Sequence, residues 1–140
     1  MAEIDPLFTP ISIPIRDDTH AVVASQRAHR MAVQLGFSLV EQTSLSTAIL
    51  EIARNIVKYA GRGEMVLVAL TDADRVGIAV LACDDGPGIA DIELALKDGF
   101  STGRGLGLGL PGARRLMDDF DIASAQGRGT TVIMEKWKRT

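Results

Sequence analysis

The stretch Glu51-Ile-Ala-Arg-Asn55-Ile-Val-Lys58-Tyr59 lies within a helical pattern and is followed by two glycine-containing segments. The first is Asp84-Asp-Gly-Pro-Gly-Ile89, after a strand-like run, and the second is Gly103-Arg-Gly-Leu-Gly-Leu-Gly109, which leads into another helical pattern. Each alone is weak evidence, since a Glu and an Asn four residues apart are typical of a solvated helix face and a glycine-rich stretch is typical of a loop. Their order on a helix, a strand end and a loop entering a helix indicates a nucleotide pocket.

The first segment belongs to a helix predicted from about Val40 to Ala60, with Gly61 as its stop. Its two sides differ in polarity. Apolar residues cover one broad side, namely Leu45, Ile49, Ile52, Ala53, Ile56 and Val57, whereas the other carries Thr47, Glu51, Arg54, Asn55 and Lys58.

The second segment ends a predicted antiparallel hairpin, whose strands run over residues 64–71 and 75–83 and are joined by a polar turn over 71–74. An ordinary turn would also use its two glycines. Alternatively, Asp84, held at a strand end against apolar walls, accepts a hydrogen bond from an exocyclic amine such as that of adenine. Gly86 and Gly88 would then let the backbone approach the ligand.

The third segment lies in residues 99–109, which contain five glycines together with Ser101, Thr102 and Arg104. A flexible connector would have this composition. However, the loop leads directly into a helical pattern, and its amide groups would converge where the helix dipole favours an anion, so we expect phosphates there. Pro111 fits a first helical turn and places the helix start near Leu108.

The remaining chain alternates between strands and helices. We expect a strand at 11–15, and because Pro14 lacks a donor it confines this strand to an edge or lies on its solvent-facing side. A helix is expected from Asp17 or Asp18 to Leu35. A short helix over 91–98 and strands over 120–124 and 130–138 complete the order. The pattern predicts an α+β fold, a two-layer sandwich with a mixed, mostly antiparallel sheet and helices on one face.

Composition limits the possible classes of protein. The 140 residues are 46% apolar, which suits one domain over 1–140, and we expect residues 1–10 to form a flexible N-terminal segment. A formal charge of −3 without basic clusters argues against nucleic-acid binding. One cysteine, Cys83, excludes an intramolecular disulfide, and we interpret it as a small core residue. Without a membrane-length apolar run, we expect a cytoplasmic protein that does not bind membranes.

At this point the motifs resemble those of the GHKL ATPases, which share the Bergerat fold. Residues 51–59 resemble the N box, residues 84–89 the first glycine box, residues 103–109 the second, and Gly129-Thr130 the closing Gly-Thr pair. Within that superfamily, residues 98–110 and 112–117 resemble the RsbT-type serine/threonine kinases of bacterial partner-switching modules.

The resemblance implies a kinase that uses ATP and Mg2+. Its substrate would be a Ser or Thr on a STAS-domain antagonist, RsbS-like or RsbR-like, in a stressosome. On release, such a kinase binds and activates a downstream phosphatase or another output protein.

The resemblance also implies roles for single residues. Glu51 fits the base that takes the acceptor's proton, and Asn55 resembles the Mg2+ ligand. Lys58 and Arg104 would reach phosphate, although a solvated lysine and a mobile loop arginine are the alternatives. Thr130 would share the adenine site with Asp84, unless it is an ordinary strand threonine. The other nucleotide-binding residues implied are Gly86, Gly88, Ile89, Thr102, Gly103, Gly105, Leu106, Gly107 and Gly109.

Two alternatives stay open. An RsbW-like anti-sigma factor kinase would share the pocket but hold a sigma factor, and a binding switch would retain nucleotide without transferring phosphate. A histidine kinase proper is disfavoured, because no dimerisation helix with a phosphoacceptor histidine is evident.

Overall fold

An antiparallel sheet lies beneath the helices in a computed structural model that describes residues 2–89, 92–96 and 109–139. Within these residues the strand order is β1-β3-β4-β6-β5, and β2 also pairs with β3. The elements are β1 (Glu3–Ile4), β2 (Ile11–Ile15), α1 (Asp18–Gln34), α2 (Leu39–Asn55), a π-helical turn (Ile56–Ala60), β3 (Gly63–Asp72), β4 (Arg75–Asp84), α3 (Ile92–Ala95), α4 (Gly109–Leu116), β5 (Asp119–Ser124) and β6 (Thr130–Trp137).

Side-chain caps fix where the long helices begin. The Asp17 carboxylate accepts a hydrogen bond from the His20 amide at 2.9 Å, so Asp17 is the N-cap of α1. Helix α2 begins at Leu39, after a reciprocal cap. The Ser38 hydroxyl accepts from the Glu41 amide at 3.1 Å, and the Glu41 carboxylate accepts from the Ser38 amide at 2.8 Å.

Helix α2 changes its winding directly after Asn55. The predicted helix to Ala60 is continuous, but its last five residues form a π-helical turn, closed by a 2.9 Å hydrogen bond from the Gly61 amide to the Ile56 carbonyl. The apolar periodicity of the sequence does not reveal this change, because Ile56 stays buried in a single widened turn.

All strand pairings among the described residues are antiparallel, whereas the sequence predicted a mixed sheet that is mostly antiparallel. Alternate residues of the central strands face α1 and α2 and are buried, including Met65, Leu67, Val80 and Met134. Cys83 lies on the opposite face and is half-buried, where it accepts a weak hydrogen bond from the Thr131 hydroxyl at 3.8 Å. The interpretation of Cys83 as a core residue is therefore wrong, because strand alternation turns it away from the helices.

The N-terminal strands lie at the outer side of β3. Strand β2 pairs with β3 alone among the described strands, in agreement with the edge position predicted from Pro14. Residues Glu3–Ile4 pair with Leu70 and Thr71, and the Asp5 amide donates to the Ala69 carbonyl at 2.8 Å. The segment expected to be flexible is thus tied to the sheet through residues 3–5.

The described parts of the other elements agree with their predicted positions. Helix α3 lies within the predicted range 91–98, and Pro111 lies in the first turn of α4. Among the helices of the described residues, none is long and apolar enough to cross a membrane.

Candidate functional site

Four strand ends meet in one row at the edge of the sheet nearest the π-helical turn. Gly63 begins β3 opposite Asp84, which ends β4, and Asp84 lies opposite Thr130 at the start of β6. Thr130 in turn lies opposite Ser124, which ends β5. Residues directly opposite in antiparallel strands lie on the same face of the sheet. Ala82, two residues before Asp84, is buried beneath the helices, so this row lies on the helix-facing side of the sheet. The sheet therefore brings Asp84 and Thr130 together beneath the end of α2.

The Asp84 carboxylate is half-buried and engaged on one oxygen. Its Oδ1 accepts a hydrogen bond from the Gly86 amide at 2.8 Å, within a turn typical of aspartate. An ionised carboxylate accepts hydrogen bonds and donates none. The second oxygen is thus an acceptor at the strand end, which is the chemistry expected for recognising an exocyclic amine.

The first glycine box and the β5–β6 turn interlock through their backbones. The Gly127 amide donates to the Pro87 carbonyl at 2.6 Å. A Cβ atom on Gly88 would collide with the Ala125 carbonyl, and one on Gly129 would collide with the Asp84 carbonyl. Both glycines also have positive φ, +77° and +80°, where L side chains are strained. These two glycines therefore permit the close approach of two turns that are far apart in sequence.

Ser124 joins the same two turns by a side chain, and no motif in the sequence singled it out. Its hydroxyl accepts from the Ile89 amide at 2.8 Å, donates to the Gly129 carbonyl at 2.9 Å, and lies 2.9 Å from the Thr130 hydroxyl. Only its place at a strand end before a glycine turn could have drawn attention to it, and many surface serines share that context.

The π-helical turn connects α2 to this row. A Cβ on Gly63 would lie 2.8 Å from the Ile56 Cγ2 atom and 3.1 Å from the Asp84 Cβ atom. A Cβ on Gly86 would lie 2.5 Å from the Ala60 Cβ atom. The turn that follows Asn55 thus packs directly on the strand ends and on the first glycine box.

Glu51 faces a different partner, the start of α4. Its Oε2 atom accepts a hydrogen bond from the Gly109 amide at 3.2 Å, across 58 positions of sequence. Asn55 follows one turn later, about 6 Å along the helix axis, and is half-buried. Lys58 is exposed in the π-helical turn, with its ammonium group 5.2 Å from the centre of the Tyr59 ring.

The structure therefore groups the predicted residues in two clusters. Asp84, Gly86, Gly88, Ile89 and Thr130 form the strand-end cluster, and Glu51 contacts Gly109 at the neighbouring helix start. Thr102, Gly103, Arg104, Gly105, Leu106 and Gly107 lie outside the described residues.

Comparisons with known proteins identify the family of this chain. Residues 40–140 match the model of the histidine kinase-, DNA gyrase B-, and HSP90-like ATPases. The chain is 44% identical to the serine/threonine-protein kinase RsbT of Bacillus subtilis over 127 residues, which are 91% of this chain and 96% of that protein. It is 29% identical to an anti-sigma F factor of Thermoanaerobacter sp. over 112 residues, which are 76% of this chain and 77% of that protein.

A solved structure shares the fold. The RsbU and RsbW domains of Rv1364c from Mycobacterium tuberculosis match 95% of this chain with a TM-score of 0.60 and 20% identity, and the match spans 34% of that longer chain. The predicted α+β fold of the GHKL ATPases is confirmed. The chain belongs to the histidine kinase-, DNA gyrase B-, and HSP90-like ATPases, and within them to the RsbT-type serine/threonine kinases.

Proposed function

We propose that this chain transfers the γ-phosphate of ATP to a Ser or Thr of a STAS-domain antagonist in a cytoplasmic partner-switching module. After release from that antagonist, the kinase activates a downstream phosphatase or another output protein. The observation that carries the proposal is the contact between Glu51 and the Gly109 amide, which places a carboxylate at the start of the helix where phosphates would bind.

The strand-end cluster supports the nucleotide part of the proposal. The free Asp84 oxygen would accept a hydrogen bond from the adenine amino group, and Thr130 would assist from the neighbouring strand. Gly86, Gly88 and Ile89 would line the approach to the base.

A cation at Asn55 would be held largely by the substrate. No cluster of three His, Cys, Asp or Glu side chains suited to a metal is present in the described ranges. A neutral amide oxygen from Asn55 suits Mg2+, which usually takes few protein ligands beside phosphate and water. When bound, Mg2+ would neutralise charge on the phosphates. Lys58 and Arg104 would contact phosphate, together with Thr102, Gly103, Gly105, Leu106 and Gly107.

Glu51 would take the proton of the acceptor hydroxyl. That oxygen forms a bond to the γ-phosphorus while the bond from the γ-phosphorus to the β-phosphate oxygen breaks, so ADP leaves and the proton rests on the Glu51 carboxyl. The amide of Gly109 holds one carboxylate oxygen, which leaves Oε1 for the hydroxyl. The same contact would couple the position of the base to the start of α4.

The test is transfer of radiolabelled phosphate from ATP to a STAS-domain protein, with the phosphorylated residue mapped by mass spectrometry. We expect Glu51→Gln to bind ATP with near wild-type affinity and to lose about 10²-fold or more of the transfer rate, because the amide cannot take the proton. A glutamine oxygen can still accept from Gly109, so α4 should keep its start. Glu64→Gln, at an exposed strand position, is the matched control.

Transfer at the wild-type rate by Glu51→Gln would refute its role as base. Failure of the wild-type protein to label any STAS-domain protein, while ATP binds, would favour the binding switch that retains nucleotide without transfer.

A second candidate has support from the anti-sigma F factor relatives, one of which is 29% identical over 76% of this chain. In that case the chain would hold a sigma factor and phosphorylate its antagonist. Purified sigma factors and STAS-domain proteins, offered in equal amounts to the immobilised chain, would separate the two. Stable capture of the sigma factor would favour the anti-sigma activity.

A further inference from the structure

The Ser124 hydroxyl uses its whole hydrogen-bonding capacity inside the protein. A hydroxyl has one hydrogen and two lone pairs. The Ile89 amide can only donate and occupies one lone pair at 2.8 Å, whereas the Gly129 carbonyl can only accept and takes the single hydrogen at 2.9 Å. The remaining contact, at 2.9 Å to the Thr130 hydroxyl, must therefore use the second lone pair of Ser124.

The contacts of Ser124 fix the direction of the Thr130 hydrogen. Because Ser124 can only accept in that contact, Thr130 donates its one hydrogen to Ser124. The Thr130 oxygen then has only lone pairs for any other contact. Asp84, directly opposite on β4, also has only an acceptor to offer, since its carboxylate has no hydrogen when ionised.

We propose that Ser124 is a positioning residue for base selection, because it turns the Thr130 hydrogen away, so that the side chains of Asp84 and Thr130 offer only acceptors to a base. This inference rests on the proposed nucleotide function of the same site. A purine with an amino group at C6 supplies hydrogens to such a site, directly or through a water. A purine with a carbonyl at C6 meets acceptors and leaves them unpaired, which costs binding free energy.

The experiment compares the dissociation constants of ATP and ITP, which differ in this group, by titration calorimetry with Mg2+. We expect the wild-type protein to prefer ATP. In Ser124→Ala the Thr130 hydrogen is free to turn toward the C6 carbonyl, so the preference should fall by about three- to tenfold, as expected for one hydrogen bond. Ser124→Thr keeps the hydroxyl and should restore the preference.

Thr130→Val provides an independent variant, because it removes the Thr130 hydroxyl and keeps the Ser124 hydroxyl with its bonds to Ile89 and Gly129. Its preference for ATP should fall by a similar factor, and adding Ser124→Ala to Thr130→Val should change the ratio no further. Urea unfolding of each variant checks that it is folded.

The outcomes separate the two levels of the proposal. A wild-type protein that binds neither nucleotide overturns both the proposed function and this inference. The role of Ser124 alone is overturned if folded Ser124→Ala binds ATP with an unchanged ratio of the ATP and ITP dissociation constants. If Ser124→Ala does not fold, the same result in Thr130→Val overturns it. A fall in the ratio that Ser124→Thr reverses supports it.

Discussion

Single residues of this site differ in what they can offer a ligand, because neighbouring groups already use part of their hydrogen-bonding capacity. Asp84 has one oxygen bound to the Gly86 amide, Glu51 has one bound to the Gly109 amide, and Ser124 has none of its capacity left. In each case a backbone group fixes the side chain. What the side chain offers to a ligand is what this internal bonding leaves over.

Asp84→Asn tests the remaining acceptor. The asparagine oxygen can still accept from Gly86, so the turn should survive, but its amide nitrogen would then meet the adenine amino group donor to donor. We expect the affinity for ATP to fall by about 10- to 100-fold, as for a lost hydrogen bond to a charged group. Calorimetry measures this change. Asp85→Asn, an exposed neighbour, should leave the affinity unchanged, and equal effects of the two variants would contradict the role of Asp84.

At the scale of elements, the site depends on two turns that pack without space for side chains. The first glycine box contacts the β5–β6 turn through Gly88 and Ala125, and through Pro87 and Gly127. It also contacts the π-helical turn at Ala60. The glycine box is therefore held on both sides, and its shape depends on elements from both halves of the chain.

Gly88→Ala and Gly127→Ala form a matched pair for this packing. Both glycines have positive φ, +77° and +79°, so each substitution should cost about 1–2 kcal/mol of backbone strain. Only at Gly88 would the new methyl meet backbone atoms, whereas nothing lies within 4 Å of a Cβ at Gly127. We expect Gly88→Ala to lower the free energy of unfolding by about 1–3 kcal/mol more than Gly127→Ala. Equal unfolding midpoints in urea would show that the turns are not in contact.

Local signals predicted most of the elements. The caps of α1, the polar turn of the β3–β4 hairpin and the edge position of β2 all follow from residues close together in sequence. The glycine boxes and Glu51 were recognisable for the same reason. The π-helical turn, the contact of Glu51 with Gly109 and the role of Ser124 depend on which distant segments pack together, and no local pattern contains that information.

At the scale of the whole molecule, the start of α2, remote from the site, is hydrogen-bonded to the C-terminal segment of the chain. Glu41 is only 6% exposed, and its two oxygens accept from the Ser38 amide and, 98 positions away, from the Arg139 amide, both at 2.8 Å. Burial alone would raise the pKa of Glu41. The hydrogen bonds from Ser38 and Arg139, with the nearby charge of Lys136, outweigh burial and hold that pKa below its ordinary value.

This balance predicts a pH-dependent stability. Because the folded pKa of Glu41 is lowered, its stabilisation is complete above the ordinary carboxyl pKa and is lost as the pH falls through the folded value. We expect Glu41→Gln to lower the free energy of unfolding by about 1–3 kcal/mol at pH 7. The gap to the wild-type protein should narrow at acid pH in urea unfolding. A gap that is constant with pH, or one matched by the exposed Glu64→Gln, would contradict this assignment.

The central claim is that the strand ends and the first glycine box form the nucleotide site of an RsbT-type kinase. Hydrogen exchange, followed by mass spectrometry with and without millimolar ATP and Mg2+, tests it most directly. We expect slower exchange in residues 84–89 and 124–130 and in the segment from Glu51 to Ala60, with no change in α1. Unchanged exchange in residues 84–89 and 124–130 at that concentration would contradict it.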